Sequence, residues 1–217
     1  MKIPLAKYGI REILFFTVVS LLMASVLVYF RHYYFLFIPL IILWFVFYFF
    51  RDPKRIIPAE ENLAVSPADG RIIEITEVKE DNFLKDEAVK IAIFLSVFNV
   101  HVNRAPVSGR VEWISYQPGK FLVASEPLAS QVNESNAIGI NHQAIKILVR
   151  QVSGIIARRI VCVCKVNDEL KRGERIGMIK FGSRTELYIP KKNVESILVK
   201  LDDKVKGAET ILAKLKA

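Results

Sequence analysis

Two stretches near the start of the chain carry no charged residue, residues 13–30 and 33–50, each 18 long and parted only by Arg31 and His32. A helix needs about 20 residues, within a range of about 17–25, to cross the hydrocarbon core of a bilayer. The pattern therefore predicts an N-terminal two-helix transmembrane hairpin, with helices over about 13–30 and 33–50. No small-residue cleavage site follows the first run, which argues against a removable signal peptide. Beyond residue 50 the pattern changes. Short runs of alternating apolar and polar residues read as strands: "RIIEITEV", "VKIAIFL", "GRVEWISY", "AIKILVRQV", "ARRIVCVCKV", "RIGMIKF" and "RTELYI". Gly, Pro, Asn and Asp punctuate them. The expectation is a mainly β protein, with the hairpin in residues 1–50 and one compact β-domain in 51–217. The Pro- and charge-rich "RDPKRIIPAEENL" leads from one to the other.

A weak internal repeat sharpens the fold class. Residues 168–176 lie over residues 203–211, 35 positions later, in the pattern D-x-[L/V]-K-x-[G/A]-E-x-I. Such turns, with "SPADGRI" and "APVSGRV", occur in the barrel-sandwich, biotinyl/lipoyl-like type of β-fold, the class expected here. That is a fold-level analogy and says little about chemistry. Lipoyl carriers present a lysine at a hairpin tip, whereas the tip candidate in this chain is Gly182-Ser183.

Charge adds an orientation. The chain holds 31 Lys+Arg against 22 Asp+Glu, net +9; residues 1–50 hold four of the former and one of the latter, so a surplus of six belongs to the β-domain. Basic segments next to an anionic leaflet gain about 1 kcal/mol per residue. No nucleic-acid motif and no aromatic-plus-basic platform is present, so the surplus points to lipid rather than nucleic acid. Lys2, Lys7 and Arg11 precede the first apolar run, and Arg51, Lys54 and Arg55 follow the second. The positive-inside rule then puts both termini, and the β-domain, on the cytoplasmic face of the cell membrane. Cys162 and Cys164 sit at i and i+2 of one predicted strand, where a reducing cytoplasm disfavours a disulfide and core packing is the expected use. No His/Cys/Asp cluster stands at metal-ligand spacing.

Few residues are left for chemistry. Of the three histidines, His32 lies in the membrane turn and His142 in a predicted loop, where a structural role is expected. His101 lies in "FNVHVNRAPVSGRV", crowded by Asn99, Asn103 and Arg104. Asp69 in "PADGR" is either a turn former before Gly70 or an acidic partner. Gly182-Ser183 joins "MIKF" to "RTELYI". A serine hydroxyl is a weak nucleophile unless a base takes its proton, and a preceding glycine tolerates unusual backbone angles. These features suit attack by Ser183 on the Gly182 carbonyl, with His101 as base and Asp69 as its orienter, the division of labour of a Ser-His-Asp triad. A plain turn stays open beside that reading. Arg104, Lys120, Arg158 and Arg159 are candidates to bind a phosphate or carboxylate, arginine favouring bidentate anion contacts.

Longer motifs narrow the choice. "FRDPKRIIP", "SPADGRI", "FNVHVNRAPVSGRV", "YQPGKFLVA", "NES", "SGIIARRIV", "RGERIGMIKFGSRTELYIP" and "DKVKGAETILA" resemble, in this order, the short form of the phosphatidylserine decarboxylase family over residues 50–214. The resemblance implies a proenzyme that cleaves itself between Gly182 and Ser183 and converts Ser183 into a pyruvoyl group. It further implies decarboxylation of phosphatidylserine to phosphatidylethanolamine, with the pieces 1–182 and 183–217 staying associated. His101 would donate or orient a proton, Asp69 would support it, and Glu134 in "VNESN" matches a family position. Longer members carry a second histidine where this chain has Arg104. A membrane-anchored Ser/Lys peptidase and a non-catalytic lipoyl-like membrane-tethered domain are the alternatives from other classes. No pattern in the chain fixes its oligomeric state, and a homo-oligomer stays open.

Overall fold

The structure, a computed structural model, describes residues 4–155, 159–180 and 182–216. The chain divides into two compact units, Met1–Lys54 and Arg55–Ala217. The first unit holds helix α1 (Ile10–Tyr29) and helix α2 (Phe37–Phe49). With the short 3-10 turn before it, the first helical stretch runs Lys7–Tyr29, 23 residues, long and apolar enough to cross a membrane. Leu14, Phe15, Leu21 and Leu22 are all exposed on it, an apolar surface that water does not favour.

The second apolar run is also helical, over Tyr33–Phe49, but only 13 of its residues, Phe37–Phe49, are α-helical. Pro39 lies in the first turn of α2, where proline is tolerated, and it has no N–H to bond the Phe35 carbonyl four residues back, so the regular helix does not extend past that point. Residues Tyr33–Phe35 accordingly form a separate 3-10 turn. Among the described residues the first stretch passes for a membrane-crossing helix by length and composition, and the second, Tyr33–Phe49, is apolar and shorter.

The second unit is mainly β. Its strands are β1 (Leu63–Val65), β2 (Gly70–Glu80), β3 (Asp86–Leu95), β4 (Val102–Arg104), β5 (Gly109–Gln117), β6 (Ser135–His142), β7 (Ile145–Ser153), β8 (Ile160–Cys162), β9 (Glu169–Leu170), β10 (Arg175–Ile179), β11 (Ser183–Pro190), β12 (Val194–Ile197), β13 (Lys204–Val205) and β14 (Ile211–Leu215). Eight of them form one curled antiparallel sheet in the order β13-β2-β3-β11-β7-β6-β5-β9; β1-β14-β12 and β4-β10-β8 form two three-stranded sheets. One further helical turn, α3 (Ala129–Val132), lies between β5 and β6.

The weak sequence repeat is a geometric repeat. Its two copies supply β9 and β13, the opposite edges of the large sheet. Leu170 pairs with Gly109 and Glu169 with Arg110 at one edge; Val205 pairs with Gly70 and Lys204 with Arg71 at the other. The Lys165 and Lys200 N–H groups donate to the Asp168 and Asp203 carboxylates at 2.7 and 2.9 Å. Asn167 and Asp202, just ahead, both have positive φ, 80° and 70°. Even the bulges match, between Ile72 and Glu74 in β2 and between Val111 and Trp113 in β5. A bulge bends its strand and increases local twist, so both flanks of the sheet turn in the same sense.

Apolar residues on the concave face of the curl make the main core. One cross-strand row is Ile91, Leu187, Val149 and Ile138, all buried together with Ile176, Val205 and Leu212. In-register neighbours share a face of a sheet. The next row toward one end is Ile93, Thr185, Gln151 and Asn136, and beyond it come Leu95, Ser183 and Ser153. The core thus grades from hydrocarbon to hydroxyl and amide along one direction, toward Ser183.

Candidate active site

β11 is the central strand of the large sheet and carries charge on its other face. Arg184 (1% exposed) donates from Nε to Glu186 at 2.6 Å and from Nη2 to Glu74. Lys90 contacts Glu74 at 2.6 Å, and the Tyr188 hydroxyl donates to Glu186 at 2.6 Å. Burial raises the Glu74 carboxyl, but hydrogen bonds from Lys90 and Arg184 outweigh it and leave the group below its ordinary range. A buried charge left without its partner is costly, so this chain of ion pairs fixes the register of β11. It thereby fixes where Ser183 begins.

Gly182-Ser183 is not a hairpin tip, contrary to the sequence reading. β10 pairs with β4 and β8 in a small sheet, whereas β11 lies between β3 and β7 in the large one. The chain crosses from one sheet to the other between β10 and β11, and Gly182 takes a positive φ of 66° just before β11. A Cβ there would meet nothing within 4 Å, so backbone angle rather than space favours glycine. Ser183 is already laddered on both sides, opposite Leu95 and Ser153. It is fully buried, and among the described residues its Oγ has no hydrogen-bond partner. An orphaned hydroxyl in the interior is unusual enough to require an explanation.

His101 stands beside this bond for a local reason. β3 ends at Leu95, opposite Ser183. A tight turn follows, in which the Asn99 side chain accepts from the Ser96 N–H and hydroxyl at 2.9 and 2.8 Å. The turn returns the chain so that His101 Nε2 accepts the Gly182 N–H at 3.3 Å. Its Nδ1 lies 3.0 Å from the Asn99 carbonyl, which accepts but cannot donate. These two contacts select one tautomer, with the proton on Nδ1 and the lone pair on Nε2, facing Gly182.

Asp69 does not orient this ring. Both of its oxygens accept from Arg55 Nη2, at 2.8 and 2.9 Å, and Oδ1 also takes the Gly207 N–H at 2.8 Å. In the other half of the repeat the Ser108 hydroxyl takes the Arg172 N–H in the same way, at 2.9 Å. Asp69 is therefore a turn cap, and the Asn99 carbonyl occupies the place expected of it. Arg104 is buried and donates from Nη1 to the Gly173 carbonyl at 2.9 Å. Lys120 and Arg159 are exposed; Arg158 lies outside the described residues. His142 ends β6 rather than lying in a loop, its Nδ1 2.7 Å from the Ser108 carbonyl, a structural bond.

Of two further residues at the site, Gly154 escaped the sequence reading and Glu134 was noted there without a readable role. A Cβ on Gly154 would come within 2.4 Å of the Gly182 carbonyl oxygen, so this glycine allows the end of β7 to approach the bond. Its one sequence signal is a glycine closing a strand. Glu134 is buried, accepts from the Tyr116 hydroxyl at 3.0 Å through Oε1, and has no partner at Oε2. Its backbone carbonyl accepts the Ser153 N–H at 2.9 Å, which places it one strand beyond Ser153 in the Ser183 row.

With this geometry in hand, comparison with known proteins is informative. The family model described as phosphatidylserine decarboxylase matches residues 42–213. The chain belongs to the phosphatidylserine decarboxylase family. It is 52% identical over 172 residues to the phosphatidylserine decarboxylase proenzyme of Carboxydothermus hydrogenoformans, covering 79% of this chain and 80% of that one. To the proenzyme of Geotalea uraniireducens it is 50% identical over 174 residues, 80% of each chain. To that of Desulfotalea psychrophila it is 46% identical over 180 residues, covering 82% and 83%. For a phosphatidylserine decarboxylase family member, a buried serine hydroxyl without a partner, next to a Gly182 amide that His101 Nε2 accepts, is the feature with most chemical meaning.

Proposed function

We propose that this chain is a proenzyme that cuts itself at Gly182–Ser183 and then converts phosphatidylserine to phosphatidylethanolamine and CO₂. The observation that carries the reading is the Ser183 hydroxyl, buried without a partner, next to a Gly182 amide held by His101 Nε2. Ser183 Oγ attacks the Gly182 carbonyl carbon while His101 Nε2, whose lone pair faces that residue, takes the hydroxyl proton. The C–N bond breaks as the proton passes to the departing nitrogen, which leaves an ester and a free amine on residue 183. Loss of the Ser183 α-proton expels the Gly182 carboxylate, and water replaces the nitrogen, released as ammonia, to leave a ketone. Overall one water is consumed. Holding nucleophile and carbonyl in one rigid frame can remove about 7–11 kcal/mol of barrier.

The pyruvoyl group fits residue 183, because that residue is buried, tethered by two ladders, and free of any hydrogen bond at the atom that must react. When formed, it supplies the electron sink for loss of the substrate carboxylate. The chain's own residues do the rest. β11 pairs with β3 and β7 along its length, which keeps the piece 183–217 docked after the cut. His101 Nε2 accepts a proton next to the Gly182–Ser183 bond and can return it there. Asp69 and Arg104 keep the turns at Gly207 and Gly173, and Lys120, Arg158 and Arg159 offer cations to a phosphate.

The rim of the site suits a lipid. Phe98 follows the end of β3, Ile155 follows Gly154, and both are about 60% exposed. Phe121 and Val123 are exposed on a loop that Asn133 straps to the end of β7, donating to the Leu122 and Ser153 carbonyls at 2.9 and 2.8 Å. We infer a barrel-sandwich catalytic domain facing the cytoplasmic side of the cell membrane, anchored by α1, with α2 completing a short hairpin.

The test is to offer the detergent-purified protein bilayers containing phosphatidylserine and, separately, monomeric short-chain phosphatidylserine. CO₂ release matched by phosphatidylethanolamine, and blocked by a carbonyl-trapping hydrazine, is the expected result. No CO₂ from either substrate by folded, cleaved protein would refute the reading.

A further inference from the structure

The two cysteines are the nucleophilic groups that this chemistry leaves unused. They are the only cysteines in the chain. Cys162 ends β8 and is half-buried; Cys164 lies two residues on and is buried. Their Sγ atoms are 3.6 Å apart, on the same side of the backbone. Val163 between them is held by its N–H to the Ile176 carbonyl at 3.1 Å and turns its side chain outward. Core packing, the role expected from sequence, accounts for Cys164, which belongs to the main cluster. Cys162 packs against the same cluster, but packing alone does not call for the two sulfurs to touch.

We propose that Cys162 and Cys164 are a reversible oxidation site, which a hydroperoxide converts to an intrachain disulfide and a thiol reductant restores. The Cys162 thiolate attacks a peroxide oxygen and breaks the O–O bond, giving a sulfenic acid and releasing hydroxide or alkoxide. Cys164 sulfur then attacks the Cys162 sulfur, the S–S bond forms, and water leaves with the Cys164 proton. Both sulfurs are oxidised by one electron each, and the two peroxide oxygens are reduced. The sulfurs must close from 3.6 Å to about 2.05 Å, and the segment beyond β8 is unpaired in any ladder at Cys164.

The environment assigns the two roles. Either thiol can be the donor between the two sulfurs; a hydrogen bond from Cys164 favours an ionised Cys162, burial opposes it, the Asn136 amide supports it, and the net result brings Cys162 down to about 7. Cys164 is pushed up, first by its bond to Cys162 and then by burial. The reactive thiolate is thus the more accessible sulfur, and the resolving thiol is the buried one.

The site also touches the catalytic strand. Asn136 donates to Gln151 at 3.1 Å, Gln151 to Asn103 at 2.8 Å, and Asn103 to Thr185 at 2.9 Å, two residues from Ser183 on the same face. Closing the disulfide withdraws a hydrogen-bond acceptor from the first member of this buried chain.

The experiment uses the full chain in detergent, reduced, desalted and treated with a small excess of hydrogen peroxide. The peptide covering residues 160–165 should lose about 2 Da, the two thiol hydrogens. The treated protein should take up no maleimide, and dithiothreitol should restore two adducts per chain. In Cys164→Ser the ring cannot close, and Cys162 should instead accumulate as a dimedone-trapped sulfenic acid. Two maleimide adducts after peroxide treatment of the parent chain would overturn the proposal, as would disulfide-linked chains on a non-reducing gel. The peptide measurement needs no variant, so the outcome does not depend on how Cys164→Ser folds.

Discussion

Ser183→Ala is expected to leave a single uncut chain with no decarboxylase activity, yet folded and at least as stable as the uncut proenzyme. The first part follows from chemistry: without Oγ there is no nucleophile to attack Gly182 and no β-oxygen to eliminate. The second follows from the structure. The hydroxyl is buried and unpaired, so removing it deletes no hydrogen bond and relieves a desolvated polar atom, a change within about 1–3 kcal/mol and of stabilising sign. Ser183 is also held by backbone ladders on both sides, which alanine retains. Gel electrophoresis for chain integrity and a thermal melt in detergent check both halves. A variant that is whole but unfolded would show only that Ser183 is needed for folding, so the melt is the informative control.

His101→Gln should slow self-cleavage by about 10²–10⁴-fold, the usual worth of a positioned general base. Glutamine offers an amide oxygen to the Gly182 N–H, which His101 Nε2 accepts at 3.3 Å, but that oxygen is not basic. The substitution thus separates holding the amide from taking the proton. A time course of freshly synthesised chain, followed by gel, reads the rate directly. Cleavage at the parental rate would remove His101 as the base. Asp69→Asn gives the contrast: the Asn99 carbonyl, not Asp69, faces Nδ1, so cleavage should survive wherever the turn at Gly207 survives.

These expectations show where sequence was legible. Alternation located most strands of the large sheet, because side chains on a strand obey a period of two wherever one face is buried. The 35-residue repeat was visible because both copies must cap the same turn and open the same edge strand. Gly182-Ser183 and His101 stood out through long motifs. The partners of those residues were less visible. Periodicity marks a strand but not its sheet, so the crossing from β10 to β11 read as a hairpin. The carboxylate of Asp69 finds Gly207, 138 positions away, and only the folded chain shows that this turn, rather than His101, takes it. The second apolar run was legible as a helical stretch, but hydropathy does not register its division into a 3-10 turn, Tyr33–Phe35, and an α-helix that starts just before Pro39. β6 was missed because "SNAIGINH" mixes Gly and Asn with its apolar residues and reads as punctuation.

The central claim is that the chain turns its own Ser183 into a ketone. Intact mass of the purified protein, before and after a hydrazine, tests this most directly. The account predicts two chains, residues 1–182 and 183–217, the second lacking a free amine and gaining one hydrazone. A single chain of 217 residues that takes up no hydrazine, from protein with a cooperative melt, would contradict it.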